Sequence, residues 1–316
     1  MYYIGIDLGG TKIASMLINS EYEVLARLTV PTRHEEGEQS VIGRITGSAQ
    51  HLCDSASVEM RQVGRVCVGS PGPIIRQSGM VLDAPNLGWK NVALAPLVSN
   101  ALGVPVIVEN DANAAAVAEN LLGAGKASRN MMYITVSTGV GGGLVLDRRL
   151  YRGSGGAAGE IGHTTVLPNG PLCGCGNRGC LEALASGTAI ARRGQEIAHR
   201  PAGRGIAQLA VDGPVTAMTV AEAARRGDRA ATAILRDAFE YLGIAVANAA
   251  NLLNLDTVVI GGGVAGIGDM LFDSVRYEVR ARTFAFVAEQ CKIVPASLGA
   301  DSGALGAACC AAGACA

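Results

Sequence analysis

No stretch of this 316-residue sequence approaches the roughly 20 apolar residues of a membrane span. Net charge is nearly absent as well. Twenty-six basic residues against 27 acidic ones leave −1, which gives no electrostatic footprint for nucleic acid or an anionic membrane. The opening MYYIGIDLGG lacks a basic segment followed by a long apolar one, so no signal peptide is expected, and a cytoplasmic protein is. There is no G-x-x-x-x-G-K-[ST]. Gly125-Lys126 lacks both the upstream glycine and the Ser or Thr, which excludes a P-loop. Nor does a disulfide framework suit the chain: nine cysteines is an odd number, and the chain is not a small secreted domain. No low-complexity linker is visible, so any lobes are joined directly.

Apolar residues make up 49% of the chain and charged residues 17%, enough for a sizeable core. Two segments look alike. YIGIDLGGTKIASMLI begins at Tyr3 and YITVSTGVGGGLVL at Tyr133. Each is an apolar run, a glycine turn with a hydroxyl residue, and a second apolar run, which is the pattern of a β-hairpin. Their recurrence predicts two lobes that begin with the same unit. Further strands are expected from Gly64 to Gly69 and from Val104 to Glu109. A helix should follow from Asn110 or Asp111 to Leu122, closed by Gly123.

A long helix is predicted from about Asp228 to Asn254. Ala231, Ile234, Leu235, Ala238, Leu242, Ala245, Ala249 and Leu252 form its buried stripe. A strand from Thr257 to Ile260, the triplet Gly261-Gly262-Gly263 and another helix come next. Strands alternating with helices indicate an α/β class. Cys53, Cys67 and Cys291 read as small core residues. Cys309, Cys310 and Cys315 sit in an Ala-rich tail that suggests no chemistry.

Asp7-Leu8-Gly9-Gly10-Thr11-Lys12 ends the first strand. Glycines let backbone N–H groups approach an anion, the Thr11 hydroxyl adds a donor, and Asp7 could hold a water bound to Mg²⁺. The turn from Ser137 through Thr138 and Gly139 to Gly143 offers the same equipment. One such turn is usually only a turn; two, one per lobe, suit a triphosphate. Gly261, Gly263 and Gly266 match G-x-G-x-x-G, but no acidic residue ends the next strand candidate, Cys291 to Val294. These glycines better suit a backbone lying against an adenosine. Asp111 falls at a helix N-terminus, where the dipole favours an ionised carboxylate able to accept a hydroxyl proton. A plain N-cap role fits the same segment.

The stretch from Glu160 to Glu182 carries the strongest signal. His163, Cys173, Cys175 and Cys180 form a Cys₃His set suited to tetrahedral, structural Zn²⁺. Such a knuckle would fix Glu160 and Glu182, two carboxylates able to accept hydrogen bonds from vicinal sugar hydroxyls. A glycosidase carboxylate pair is conceivable but leaves the two glycine turns unexplained.

These motifs, with Gly69-Ser70-Pro71-Gly72-Pro73 and Ala84-Pro85-Asn86-Leu87, resemble the ROK family (repressors, open reading frames and kinases) along essentially the whole chain. The E-x-G-H and C-x-C-G-x-x-G-C-x-E pair is similar to that of the family's bacterial glucokinases. The resemblance implies a two-lobed α/β fold of the actin–Hsp70–hexokinase type. Residues 1–115 would form the first lobe, with a final helix at 300–316 packing back on it. Residues 116–299 would form the second, with the zinc site and dimer contacts.

It further implies transfer of phosphate from Mg·ATP to the 6-hydroxyl of glucose, with Asp111 as base. Gly72, Asn86, Asn110, Glu160, His163 and Glu182 would hold the sugar, His163 also facing zinc. Asp7, Gly9, Gly10, Thr11, Lys12, Thr138 and Gly139 would face the phosphates, and Gly262 and Gly263 the adenosine. A homodimer or dimer of dimers is expected, with no nucleic-acid or membrane partner. An N-acetylmannosamine kinase, a fructokinase and a sugar-sensing binding protein are the alternatives. The family's repressors carry a DNA-binding domain ahead of the Asp-Gly-Gly strand, which here starts at Tyr2 or Tyr3, so a repressor is not expected.

Overall fold

The computed structural model describes residues 1–211 and 213–314. The chain divides into two compact units. One comprises Met1–Ala127, Gly143–Ala158 and Ser297–Ala316, the other Ser128–Gly142 and Gly159–Ala296. Among the described residues, no helix is long and apolar enough to cross a membrane.

In the first unit, β1 (Tyr2–Leu8), β2 (Lys12–Asn19) and β3 (Val24–Pro31) form an antiparallel meander. After α1 (Glu38–Ser55), β4 (Val63–Ser70) pairs parallel with β1. A small antiparallel sheet follows, of β5 (Ile74–Ile75), β6 (Met80–Ala84) and β7 (Trp89–Val92). Then come α2 (Leu94–Leu102), β8 (Val106–Asn110), parallel to β4, and α3 (Asp111–Leu121). The main sheet has the order β3-β2-β1-β4-β8.

Period-2 alternation splits β1 between two layers. Ile4, Ile6 and Leu8 pack with Val41, Ile45 and Leu52 of α1. Gly5, on the opposite side of β1, meets the terminal helix. A Cβ there would collide with the Ala304 carbonyl and the Ala308 amide.

The second sheet has the order β11-β10-β9-β12-β13. Its strands are β9 (Met131–Val136), β10 (Val140–Leu146), β11 (Arg149–Tyr151), β12 (Thr257–Gly261) and β13 (Lys292–Pro295). β12 runs parallel to both β9 and β13. The two sheets thus share one plan, a meander continued by parallel strands, and the similarity of the Tyr3 and Tyr133 segments is its trace in the sequence. Between β11 and β12 lie α4 (Leu181–Ala185), α5 (Gly187–Ala198), α6 (Arg204–Leu209), α7 (Ala217–Arg225) and α8 (Arg229–Leu253). α9 (Asp269–Arg282) and α10 (Ala285–Gln290) precede β13, and α11 (Ser302–Ala311) closes the chain.

α8 begins where expected, because Asp228 accepts the backbone N–H groups of Ala230 and Ala231 as its N-cap. It ends at Asn254, whose φ of 48° is left-handed. The expected stripe is buried through Ala245, but Leu252 is 83% exposed. The buried face of the last turns passes to Val246, Ala247 and Ala250. Two residues beyond Ala250 is about 200° around the helix, which turns Leu252 to solvent.

The Ala-rich tail has a packing role. α11 lies against β1 and α3 in a cluster of small side chains that includes Ala14, Cys67, Ala114, Ala304, Ala308, Cys309 and Cys310. A Cβ on Gly306 would strike the Ala114 carbonyl, so only glycine allows this approach. Cys315 lies outside the described residues. A boundary at residue 115 would cut α3 in two. The helix is one piece packed on α11, and the first unit therefore reaches Ala127.

Candidate active site

Asp7, Gly69 and Glu109 stand abreast on the parallel strands β1, β4 and β8. The residues singled out from the sequence in this unit follow that row or pack beside it. Gly9, Gly10 and Thr11 turn after β1, Gly72 follows β4, and Asn110 and Asp111 end β8 and start α3. Carboxyl ends of parallel strands are where α/β sheets bind ligands, because the helices that follow aim their N-termini there.

Asn110 caps α3 through its side chain, which accepts the Asn113 N–H at 3.0 Å. Asp111 is the first helical residue, and its Oδ1 accepts the Ala112 N–H at 2.8 Å. The capping and acidic roles thus fall to neighbours. Gly10 packs on Asn86: a Cβ on Gly10 would stand 3.1 Å from the Asn86 Cβ. Gly72 has a φ of +83° and lies against the Asp83 carbonyl. The first glycine turn is braced by Thr32, whose hydroxyl donates to the Gly9 carbonyl at 2.6 Å and whose N–H donates to Thr11. Lys12 is exposed at the start of β2. Burial raises the Asp7 carboxyl above its ordinary value, and the Lys12 charge opposes that shift.

In the second unit the turn at Thr138 and Gly139 follows β9, and Gly262 and Gly263 follow β12. Gly187 N–H donates to the Ser137 carbonyl at 2.7 Å, and the Thr188 hydroxyl to that of Thr138 at 2.8 Å. These bonds fix the glycine turn to the start of α5. Gly262, with φ +85°, crosses over the backbone of Val136 where no side chain fits, whereas Gly263 faces open space.

Glu160 is exposed and directly precedes the 3₁₀ turn Ile161–His163, to which its side chain makes no capping bond. Glu182, in the first turn of α4, accepts the Val140 N–H through Oε2 at 3.0 Å. Its Oε1 lies 3.8 Å from the Cys173 sulfur.

The ligand atoms of His163, Cys173, Cys175 and Cys180 all lie within 4.8 Å of one another. Cys173 Sγ is 3.7 Å from His163 Nδ1, and Cys175 Sγ is 3.7 Å from Cys180 Sγ. Zn–S bonds of about 2.3 Å and a Zn–N bond of about 2.0 Å in a tetrahedron set their ligand atoms roughly 3.5–3.8 Å apart. The donor set therefore fits zinc in chemistry and in spacing. Burial pushes the Cys180 thiol up to about 12 and raises Cys173, while the Asn177 backbone N–H lowers Cys175.

The sequence model of the ROK family matches residues 3–314. The chain belongs to the ROK family. It is 38% identical over 307 residues to a glucokinase of Thermotoga maritima, spanning 96% of this chain and 95% of that one. A glucokinase of Halalkalibacterium halodurans is 36% identical over 312 residues, with 96% and 93% covered. The crystal structure of a ROK family glucokinase from Streptomyces griseus, in complex with glucose and AMPPNP, superimposes with a TM-score of 0.83. It is 33% identical, and 98% of this chain and 99% of that chain are covered. The α/β fold is thus the actin–hexokinase type of ROK kinases.

Within this ROK chain, one pair of charged residues near the first row escaped the sequence reading. Glu109 is buried to 2% exposure and bound by Arg152. A buried acidic side chain within a strand needs a partner that offsets its charge. Its partner, 43 residues on, has no mark in the sequence.

Proposed function

We propose that this chain is an ATP-dependent glucokinase, transferring the γ-phosphoryl group of Mg·ATP to the 6-hydroxyl of glucose. The observation that carries the reading is its identity of 36–38% to two glucokinases across 96% of its length, and Asp111 stands at the start of α3.

Asp111 accepts the 6-hydroxyl proton as the phosphoryl group transfers in line. Asp111 stands at the N-terminal end of α3, where the helix dipole favours negative charge. In the first unit, Asn86, Asn110 and the Gly72 backbone offer partners for sugar hydroxyls; in the second, Glu160, His163 and Glu182 do. In the first unit, Gly9, Gly10, Thr11 and Lys12 offer N–H groups, a hydroxyl and an ammonium to phosphate; in the second, Thr138 and Gly139 offer N–H groups and a hydroxyl. Asp7 would hold a Mg²⁺ ion, whose charge would offset that of the phosphates, and Gly263, with open space beside it next to Gly262, would let the adenosine approach the backbone. Zinc, when bound by His163, Cys173, Cys175 and Cys180, supplies a rigid crosslink and no Lewis-acid step, since all four positions are protein ligands.

Cys53, Cys67, Cys173, Cys175, Cys180, Cys291 and Cys309 are free thiols, which suits a cytoplasmic enzyme, while Cys310 is disulfide-bonded. A homodimer or dimer of dimers is in keeping with exposed Tyr277 and the stacked, exposed pair Phe284 and Phe286 in the second unit.

The test is a coupled ADP-release assay with Mg·ATP against glucose, N-acetylmannosamine, mannose and fructose. A kcat/KM for glucose well above the others supports the reading. Measurable sugar binding without turnover of any of them would overturn it in favour of a sensor.

A further inference from the structure

Glu109 immediately precedes Asn110 and Asp111, yet it faces away from solvent. Its Oε1 accepts the Asn113 side-chain amide at 3.1 Å and the Asn110 backbone N–H at 3.2 Å. Its Oε2 accepts Arg152 Nε at 2.9 Å and Arg152 Nη2 at 2.8 Å, and Arg76 Nε lies 3.7 Å away. Asn113 is shared: its backbone N–H goes to the cap Asn110 and its side chain to Glu109. One carboxylate therefore grips the first turn of α3 at two points and anchors it to an arginine from another part of the chain.

That arginine also opens a glycine-rich loop. The Arg152 carbonyl accepts the Ala158 N–H at 3.1 Å, closing Gly153-Ser154-Gly155-Gly156-Ala157 into an exposed loop two residues ahead of Glu160.

We infer that the Glu109–Arg152 pair is a positioning device for the reaction, fixing the start of α3 so that Asp111 meets its proton in line. The inference rests on the kinase reading. A buried, fully bonded carboxylate costs free energy to desolvate, and apolar residues would hold a helix start as firmly. What the charged pair adds is direction. Arg152 binds through two nitrogens to one oxygen, Asn113 fixes the other oxygen, and together they set the rotation of the turn that carries Asp111. A displacement near 1 Å at a reacting group lowers turnover by about 100-fold.

The experiment compares the wild-type chain with Glu109→Gln, Arg152→Lys, Asp111→Asn and the Glu109→Gln/Asp111→Asn double variant. Each is assayed for glucose phosphorylation, for glucose binding by calorimetry, and for Tm. Glu109→Gln and Arg152→Lys are each expected to lower kcat by about 10- to 100-fold with glucose affinity within about threefold of wild type. Glu109→Gln should cost nothing further once Asp111 is already Asn, because a residue acting only through Asp111 has nothing left to position. Should Glu109→Gln not fold, Arg152→Lys retains the charge and reads the same split between kcat and binding. Folded variants with wild-type kcat, or a full additional loss in the double variant, would overturn the inference. An inactive wild-type chain would instead count against the kinase reading itself.

Discussion

Val140 donates its backbone N–H to Glu182 Oε2 at 3.0 Å, and a Cβ on Gly139 would stand 2.5 Å from that same oxygen. Glu182 follows Cys180 by two residues, and its other oxygen touches Cys173. The residue that leaves the thiol cluster is therefore the one that holds the glycine turn of the second unit.

Loss of the metal should be felt at both substrates. Cys175→Ser, or treatment with a strong zinc chelator, is expected to lower zinc content from about one ion per chain and to raise the KM of glucose and of ATP together. Metal analysis alongside two-substrate kinetics checks this. A zinc-free protein with unchanged KM for both would show that Glu182 holds its place without the cluster.

Asp111→Asn keeps the size of the side chain and removes the proton acceptor. The expected loss in kcat is roughly 10²- to 10⁴-fold, with glucose still bound and Tm close to wild type. Pre-steady-state phosphoryl transfer measures it directly, and near-normal turnover in the folded variant would remove Asp111 from the role of base.

Asp7 carries a pKa raised chiefly by burial. The native state therefore holds the proton more tightly than the unfolded chain, so ionised Asp7 lowers stability at pH above its raised value. Asp7→Asn should have a Tm equal to or above wild type at pH 7, with the difference narrowing as the pH falls below the raised value and gone below the ordinary carboxyl value of 3.8. Phosphoryl transfer should fall at the same time, a trade of stability against function. Thermal melts across pH decide it: a variant less stable than wild type at neutral pH contradicts the sign.

Two glycines should respond in opposite ways. Gly306→Ala places a methyl group against the Ala114 carbonyl and should destabilise by about 1–3 kcal/mol. Gly43 lies in α1 on an exposed face with open space beside it, so Gly43→Ala should stabilise by about 0.5–1 kcal/mol. Denaturant titrations read both.

Much was legible locally. A hairpin, a helix cap and a metal knuckle are written in adjacent residues, and each follows from short-range rules: the glycine turn after Asp7, Asn110 before α3, Cys173 to Cys180 with His163 nearby. The α8 stripe shows where such reading fails. Leu252 holds the helical period, but nothing in the period says where the packing partners stop.

By itself the sequence determined the α/β class, the doubled hairpin, the Cys₃His donor set and Asp111 at the start of a helix. All of these depend on spacings along one segment. Tertiary structure alone decided which distant segments meet. It put Arg152 on Glu109, Glu182 on the Val140 amide, and the Ala-rich tail close enough to α3 that Gly306 has no room for a methyl group. Such contacts arise when sheet register brings residues together that the chain holds dozens to hundreds of positions apart, and pattern within a single segment carries no record of that distance.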